Sequence, residues 1–195
     1  TSGTVNIYGN SLATDMQRIR QLTGICPQQN VLMPTLTVRE NLDLFGCIKG
    51  IQNAPIEEDA VTGRVVKRAR DSAIRSIVEE VGLVEKLDVP ASQLSGGQKR
   101  KLSLAIALIG DPKFVLLDEP TSGMDPYSRR STWEMLLKYK VGRVVVLTTH
   151  FMEEADNLGD RIAIISEGRL RCSGSSLFLK SRFGNGYVLS VAKNK

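Results

Sequence analysis

The amino-acid sequence predicts an α/β fold built on a mainly parallel sheet. Two short, continuous apolar runs, Phe114–Leu117 and Val144–Leu147, are typical of strands that are covered on both faces. Helical patterns precede and follow these runs, and helices that alternate with buried strands indicate this fold class. A chain of 195 residues, 42% of them apolar, is long enough for one domain with a hydrophobic core.

The composition argues against several classes of protein. No apolar run approaches the ~20 residues that a membrane-spanning helix needs. The three cysteines, Cys26, Cys47 and Cys172, fit neither a disulfide framework nor a metal knuckle, and they indicate a reducing compartment. A formal charge of +5 permits a phosphate-bearing partner without requiring one. Basic residues cluster at Arg64–Arg75 and at Lys99–Lys101, where a solvated helix face is the default interpretation.

The first half of the chain is predicted to begin with strands and continue with helices. Strand-like alternation stops at the turn pair Gly9-Asn10. Thr37 and Glu40 have the spacing of a capping box, which predicts a helix start. The predicted elements are a strand at Thr4–Tyr8, a strand at Leu22–Cys26, a helix from Thr37 with Val38, Leu42, Phe45 and Ile48 on one face, a loop over 52–63, and a helix over 64–81 that Gly82 caps.

The second half alternates helices with the two buried runs. Asp125-Pro126 is a typical helix start, because a capping residue is followed by proline at the first helical position. Glu167-Gly168 predicts the turn of a hairpin. The predicted elements are helices after Ser95 to about 109, from Asp125 to about 140, at 151–158 and at 176–183, hairpin strands at 162–165 and 169–172, and a last strand at 187–191.

Two adjacent carboxylates, Asp118 and Glu119, follow the first buried run. The carboxyl ends of strands form the edge at which open α/β sheets bind ligands. Because neighbouring carboxylates repel one another, a divalent cation is a natural partner: one carboxylate could hold Mg²⁺ while the other orients or deprotonates a water. An ordinary acidic loop after a strand is the competing interpretation.

A glycine-containing segment, Leu94–Gln98, precedes the third predicted helix. Gly96 and Gly97 let backbone N–H groups approach an anion, the helix N-terminus adds positive potential, and Ser95 can supply a hydroxyl. A simple serine N-cap followed by flexible glycines explains the same residues equally well.

His150 and Gln28 each follow a predicted strand. His150 is the single histidine, and its imidazole can hydrogen-bond a phosphate oxygen or an attacking water. If the strands are parallel, His150 shares a sheet edge with Asp118 and Glu119. The amide of Gln28 can bind a metal and a water. Taken singly, a structural histidine and a surface glutamine are the commoner situations.

Together, these segments resemble the nucleotide-binding domain of ABC transporters in order and spacing, over essentially the whole chain. The matches are Leu94–Gln98 with the LSGGQ signature, Phe114–Asp118 with the Walker B strand, Glu119 with the catalytic glutamate, Ser122–Asp125 with the D-loop, His150 with the switch histidine and Gln28 with the Q-loop glutamine. The resemblance implies a P-loop NTPase-like ABC ATPase domain with ATP and Mg²⁺ as ligands.

The resemblance also implies the role of each residue on the catalytic side of the site. Asp118 would hold Mg²⁺, and Gln28 would sense both Mg²⁺ and the attacking water. Glu119 would polarise that water, and His150 would contact the γ-phosphate. Phosphoryl transfer relies mainly on such positioning and on stabilisation of charge.

The remaining site residues are implied to act between two domains. Ser95, Gly96, Gly97 and Gln98 belong to the signature that binds nucleotide held by an opposing domain, and Asp125 lies at the domain interface. The implied partners are a second nucleotide-binding domain and the transmembrane domains of the same transporter, with no nucleic acid. The implied location is the cytoplasmic face of a membrane, as part of an integral membrane protein.

The amino-acid sequences of three segments, Cys26–Asn30, Asp118–Pro126 and His150–Asp156, resemble those of subfamily A, a group of transporters that act mostly on lipids. Residues 1–195 would then form a partial nucleotide-binding domain, with a helical signature subdomain at about 37–110 and the Walker B, D-loop, H-loop and C-terminal parts at 111–195. Two alternatives stay open: a soluble ABC-type ATPase of translation or DNA repair, and a non-catalytic binding module. Tandem domains or a coiled-coil insertion would favour the former, and neither is evident.

One expected motif is missing. The Walker A loop, Gly-x-x-x-x-Gly-Lys-Ser/Thr, does not occur in these 195 residues. The resemblance places that loop, an adenine-stacking aromatic residue and the first sheet strand upstream of the segment that resembles Thr1–Tyr8. We therefore expect that the chain begins inside the domain and lacks the lysine and most backbone donors for the phosphates.

We predict negligible ATPase activity for the isolated 195-residue chain, because it carries no Walker A lysine. The measurement is phosphate release with Mg²⁺ and ATP, compared with a version extended ~40–50 residues upstream to restore the loop. Robust turnover by the short chain that Glu119→Gln abolishes would contradict the prediction.

Overall fold

The computed structural model describes residues 3–51, 55–58, 65–184 and 186, which form two compact units, Thr1–His150 and Phe151–Lys195. The first unit contains β1 (Asn6–Ile7), β2 (Asn10–Ser11), α1 (Met16–Leu22), β3 (Thr23–Cys26), α2 (Val38–Ile48), β4 (Pro55–Glu58), β5 (Val65–Arg68), α3 (Ala69–Val81), α4 (Gly96–Leu108), β6 (Phe114–Asp118), α5 (Pro126–Tyr139) and β7 (Val144–Thr148). The second contains α6 (Met152–Leu158), β8 (Ile162–Ser166), β9 (Arg169–Gly174) and α7 (Ser176–Phe183).

A three-stranded parallel sheet, in the order β3-β6-β7, is the centre of the first unit. Cys26 pairs with Leu117, and Asp118 pairs with Thr148, so all three strands end at one edge. The predicted fold class, α/β with a parallel sheet, is confirmed. Because the strands are parallel, the residues that follow each of them lie along the same edge of the sheet.

Helix α4 packs against β3 and is buried around most of its circumference. Its residues Leu102–Leu108 are all buried, as are Val115 and Leu117 of β6. Gly24 of β3 allows this close packing: a Cβ at that position would lie 2.1 Å from the carbonyl oxygen of Ala107 and 2.9 Å from Pro112 Cγ. A side chain at position 24 would therefore force the helix and the sheet apart.

The predicted start of α2 is confirmed. The Thr37 hydroxyl accepts from the Glu40 amide at 3.2 Å, and the Glu40 carboxylate accepts from the Thr37 amide at 2.8 Å. Val38 and Leu42 are buried as predicted, but Ile48 is 70% exposed. Ile48 lies in the last turn of α2, where Gly46, rather than the apolar stripe, is the buried residue.

The segment before α3 differs from the prediction. Pro55–Glu58 and Val65–Arg68 pair as antiparallel strands, where the sequence predicts a loop and the first turn of a helix. The helix begins at Ala69 instead of Arg64. Val65 and Val66 are β-branched, and such residues favour extended backbone over helix, which explains the late start.

The first residues also differ from the prediction. A short hairpin, β1 paired with β2, replaces the single predicted strand Thr4–Tyr8, because Tyr8 and Gly9 adopt φ angles of 48° and 78° and turn the chain. Helix α1 was not predicted. Apolar residues at its positions 16, 19 and 22 have helical spacing, but a single turn of such spacing is a weak signal.

The second unit follows its prediction closely. β8 and β9 form an antiparallel hairpin, with Glu167 and Gly168 at φ angles of 52° and 70° in the turn. Within this unit, the Lys180 ammonium of α7 forms an ion pair with Asp156 of α6 at 2.7 Å. The predicted strand at 187–191 lies outside the described residues. No described helix has both the length and the apolar composition needed to cross a bilayer.

We expect Gly24→Ala to lower the free energy of unfolding by about 3 kcal/mol, because the added methyl meets a backbone carbonyl that cannot rotate away. Gly46→Ala is the matched control: this buried glycine of α2 faces the flexible Arg70 side chain at 3.2 Å. Urea denaturation should show a change below about 1 kcal/mol for the control. Equal effects at the two positions would refute the packing argument.

Candidate nucleotide site

The cluster at the carboxyl edge of the sheet is centred on Glu119. Gln28 Nε2 donates a hydrogen bond to Glu119 Oε2 at 3.3 Å, and His150 Nδ1 lies 3.1 Å from Glu119 Oε1. These residues follow three different strands, β3, β6 and β7. The structure therefore brings together Gln28, Glu119 and His150. The parallel-sheet argument predicts this for Glu119 and His150, and the family resemblance implies it for Gln28.

The backbone at Glu119 is unusual and is held by the neighbouring strand. Its φ angle is 49°, in the left-handed region that a residue with a side chain rarely adopts. The Glu119 amide donates to the Thr148 carbonyl at 3.0 Å and lies 3.3 Å from the Thr148 hydroxyl. Backbone strain of this kind persists where the surroundings enforce it, often at functional sites.

Thr148 also orients the other carboxylate, because its hydroxyl donates to Asp118 Oδ1. Sequence reasoning did not select Thr148. The available signal was its position as the last residue of β7, where it pairs with Asp118 in the sheet. Thr148 thus fixes Asp118 through its side chain and Glu119 through its carbonyl.

The imidazole of His150 has a defined arrangement relative to Glu119. An ionised carboxylate can only accept hydrogen bonds, so beside an ionised Glu119 the proton in this contact would belong to Nδ1. Nε2 is on the opposite side of the ring. A histidine arranged in this way can hold a proton beside the glutamate and present its second nitrogen to a phosphate or a water.

The donor set at this edge fits Mg²⁺. Asp118 supplies a carboxylate, and Gln28 an amide oxygen, because its hydrogen bond to Glu119 uses the nitrogen. In the described part of the chain, no group of three or more His, Cys, Asp and Glu side chains could hold a metal. Mg²⁺ is commonly held by one or two carboxylates, with waters and substrate phosphates completing its shell.

The signature segment begins α4 with a capping box. Ser95 Oγ accepts from the Gln98 amide at 3.2 Å, and Gln98 Oε1 accepts from the Ser95 amide at 3.0 Å. The serine N-cap interpretation is therefore correct as far as it goes. These two residues pair with each other and stand apart from the hydrogen bonds around Glu119.

The cap does not explain the two glycines. A Cβ on Gly96 would meet no atom within 4 Å, and one on Gly97 would only touch Met124 Cγ at 4.0 Å. Both glycines begin a helix, and neither has a positive φ angle. Since glycine weakens a helix and the fold does not require it here, the bare backbone is free to be approached from outside.

Asp125 begins α5 as its N-cap, accepting from the Ser128 amide at 3.0 Å. Hydrogen bonds from the Ser128 side chain and backbone hold the pKa of Asp125 below its ordinary value. The carboxylate therefore stays ionised at neutral pH. The predicted helix start is confirmed, and its role at an interface stays a prediction.

Arg100 differs from the prediction for the basic cluster Lys99–Lys101. The sequence predicts a solvated helix face there, but the Arg100 side chain is buried, with only 2% of the residue exposed. Its guanidinium lies between the segment that contains Gln28 and the segment that contains Glu119. Cys26, at the end of β3, is buried nearby, and burial raises the pKa of its thiol to about 11. The thiol is therefore protonated and inert at neutral pH.

Comparison with known proteins agrees with this geometry. The model of the ABC transporter family matches residues 1–122, well over half of the chain. ABC transporter A family member 6 of Dictyostelium discoideum is 50% identical over 193 residues, which is 99% of this chain and 11% of that protein. The human retinal-specific phospholipid-transporting ATPase ABCA4 is 48% identical over 195 residues, 99% of this chain and 8% of that protein. The chain thus spans about a tenth of the length of these relatives.

Two solved structures share the fold. One, described as the structure of the ATP binding subunit of an ABC transporter, has a TM-score of 0.76 at 24% identity, over 94% of this chain and 71% of that one. The other, a dimeric post-hydrolysis state of the ATP-binding cassette MJ0796 bound to ADP and Pi, has a TM-score of 0.74 at 26% identity, over 90% of this chain and 74% of that one. The chain therefore belongs to the ABC transporter family, next to members of its subfamily A, and has the fold of the family's ATPase domain.

Proposed function

We propose that the chain is the ATP-hydrolysing region of a subfamily A transporter, using ATP with Mg²⁺. The observation that carries the proposal is the cluster in which Gln28 and His150 each contact one oxygen of Glu119. A glutamate held from both sides, on a left-handed backbone, has one orientation rather than many. Positioning of this kind is the main contribution that a protein makes to phosphoryl transfer.

In the proposed mechanism, Glu119 orients a water for attack and accepts its proton. His150 holds a proton on Nδ1 against Glu119 and turns Nε2 towards the γ-phosphate. Asp118 and the amide oxygen of Gln28 would hold Mg²⁺, which when bound stabilises charge on the phosphate oxygens. Thr148 supports the different roles of the two adjacent carboxylates. Its hydroxyl binds the side chain of Asp118, and its carbonyl binds the backbone amide of Glu119.

The signature segment Ser95–Gln98 is proposed to bind the phosphates of nucleotide held by a second nucleotide-binding domain. Its glycines leave the first turn of α4 uncovered, although the fold itself has room for side chains there. A helix N-terminus with exposed N–H groups suits an anion. Asp125 would lie at the same interface between domains. The dimeric state named for the similar MJ0796 structure supports a paired arrangement.

The transported substrate is proposed to be a lipid or a similar amphipathic molecule. The support is the similarity to a relative named as a phospholipid-transporting ATPase, at 48% identity over 99% of this chain. Transmembrane domains of the same protein would contain the substrate path, and this domain would then lie at the cytoplasmic face of a membrane. Within the domain, residues 37–110 are proposed as the helical subdomain, and 111–195 as the part with Walker B, the D-loop and the H-loop.

In the transporter that contains this chain, Glu119→Gln is expected to lower ATP turnover at least about 100-fold, because the amide cannot accept the proton of water. ATP binding should persist, since the phosphate contacts remain. Glu79→Gln, an exposed glutamate of α3, is the control and should be silent. Turnover and nucleotide binding are measured on the same membranes. Unchanged turnover in the Glu119 variant would remove the basis of the proposal.

Gly97→Ala is expected to separate stability from activity. The methyl has room, so the free energy of unfolding should stay the same or rise by up to about 1 kcal/mol. ATP turnover should fall, because the methyl occupies the approach to the exposed backbone. Gly142→Ala is the control, with the opposite expected result. Because the φ angle of Gly142 is 73°, a side chain there is strained, so the variant should lose about 1–2 kcal/mol of unfolding free energy and keep its turnover. Thermal unfolding and turnover of both variants test this, and an active Gly97→Ala protein would argue against a phosphate at the signature.

A further inference from the structure

The guanidinium of Arg100 is enclosed by oxygen atoms that carry no charge. All three of its nitrogens donate hydrogen bonds. Nη1, for example, donates to the Pro27 carbonyl at 2.6 Å. The acceptors are the main-chain carbonyls of Pro27, Gln28, Asp118, Glu119 and Pro120, with the side-chain amide oxygen of Asn30.

Burial of this cation has to be offset. Moving a guanidinium out of water is unfavourable unless hydrogen bonds satisfy its donors, and well-packed apolar residues often replace buried ion pairs without loss of stability. Carbonyl dipoles satisfy the N–H groups here. An arginine is therefore an unfavourable choice as a core residue. What distinguishes it from an apolar residue here is that it links separate segments of the chain.

Those segments are the two that contain the catalytic side chains. Nη1 binds the carbonyl of Gln28 itself at 3.1 Å, and Nη2 binds the carbonyl of Glu119 itself at 3.0 Å. The side chains of the same two residues meet through Gln28 Nε2 and Glu119 Oε2 at 3.3 Å. One rigid, planar group thus sets the separation of the two main chains at the point where their side chains touch.

A second contact reinforces this link. The Ser103 hydroxyl, one turn further along α4, lies 3.0 Å from Asn30 Oδ1 and 3.1 Å from the Lys99 carbonyl oxygen, and Arg100 Nη1 donates to Asn30 Oδ1 at 3.3 Å. Both donors lie on the helix that begins with the signature residues Ser95–Gln98. The helix that begins with the signature is therefore hydrogen-bonded to both loops of the proposed hydrolytic cluster, the one with Gln28 and the one with Glu119.

We propose that Arg100 is a positioning residue for ATP hydrolysis: it holds the Gln28 and Glu119 segments in register and joins the signature helix to the cluster of its own domain. The inference rests on the proposed function of that cluster. Lysine cannot substitute, because all donors of its ammonium are on one nitrogen, whereas the guanidinium has donors on three nitrogens and reaches two separate segments of the backbone.

The test compares Arg100→Lys with the wild-type transporter that contains this chain. The kcat for ATP should fall about 10- to 100-fold, because a small misplacement of catalytic groups has effects of that size, while KM for ATP changes little. Lys101→Met, the neighbouring lysine on the same helix, is the matched control and should keep both constants. A kcat within about twofold of wild type for Arg100→Lys would overturn the inference.

A double-mutant cycle distinguishes positioning from general stability. If Arg100 acts through the Gln28 segment, the loss in kcat from Arg100→Lys should be much smaller in a Gln28→Ala background than in wild type. Fully additive losses would overturn the inference. If Arg100→Lys fails to fold, Ser103→Ala takes its place: it removes one hydroxyl contact to Asn30 and should lower kcat about two- to fivefold at unchanged KM, and an unaltered kcat would count against the idea.

Failure of the inference and failure of the proposed function give different results. If the wild-type transporter hydrolyses ATP and Glu119→Gln does not, while Arg100→Lys is fully active, the proposed function stands and Arg100 has no positioning role. If Glu119→Gln is as active as wild type, the cluster itself is not the hydrolytic site, and the inference about Arg100 falls with it.

Discussion

A buried cation surrounded by carbonyl oxygens is the interaction on which the arrangement of the site depends. The parallel sheet brings the ends of β3 and β6 to one edge, but a sheet fixes its strands and leaves the loops beyond them undetermined. Arg100 fixes those loops, because its donors reach the main chain on both sides of the gap. Main-chain carbonyls are present whatever the side chains are, so these hydrogen bonds constrain the backbone at Gln28 and Glu119 and leave both side chains free for their proposed roles.

Backbone geometry, in addition to side-chain contacts, determines the arrangement of the site. Glu119 points into the cluster because its residue is left-handed, and that conformation is held by the end of the neighbouring strand. His150 follows the same strand two residues later. The distance between the glutamate and the histidine thus depends on the register of β6 against β7, in which Asp118 pairs with Thr148.

Local signals explain which features could be predicted from the sequence. β6 and β7 are continuous apolar runs, and the starts of α2, α4 and α5 depend on residues within one turn of each other, so all were predictable. The prediction that both strands are covered on both faces is wrong for β7, where Val144 and Val146 are each 46% exposed. The meeting of Glu119 and His150 followed from one added assumption, that the strands are parallel, whereas the place of Gln28 beside them followed only from the family resemblance. Arg100 could not be found in this way, because Lys-Arg-Lys on a helix is ordinarily solvated, and only tertiary contacts decide which of the three is buried. The strands Pro55–Glu58 and Val65–Arg68 depend likewise on pairing across a gap in sequence.

The capping box at the start of α4 has a consequence for which residues can occupy position 95. The serine oxygen receives a hydrogen bond from the Gln98 amide through a lone pair, and the same hydroxyl still has a hydrogen to give. Capping and anion binding therefore do not compete for this side chain. Aspartate caps helices as well as serine does, yet it would set a negative charge where the phosphates are proposed to bind. Selection for a stable helix would treat the two residues as equivalent, so a preference for serine over aspartate at this position would report the charge of the ligand rather than the needs of the fold.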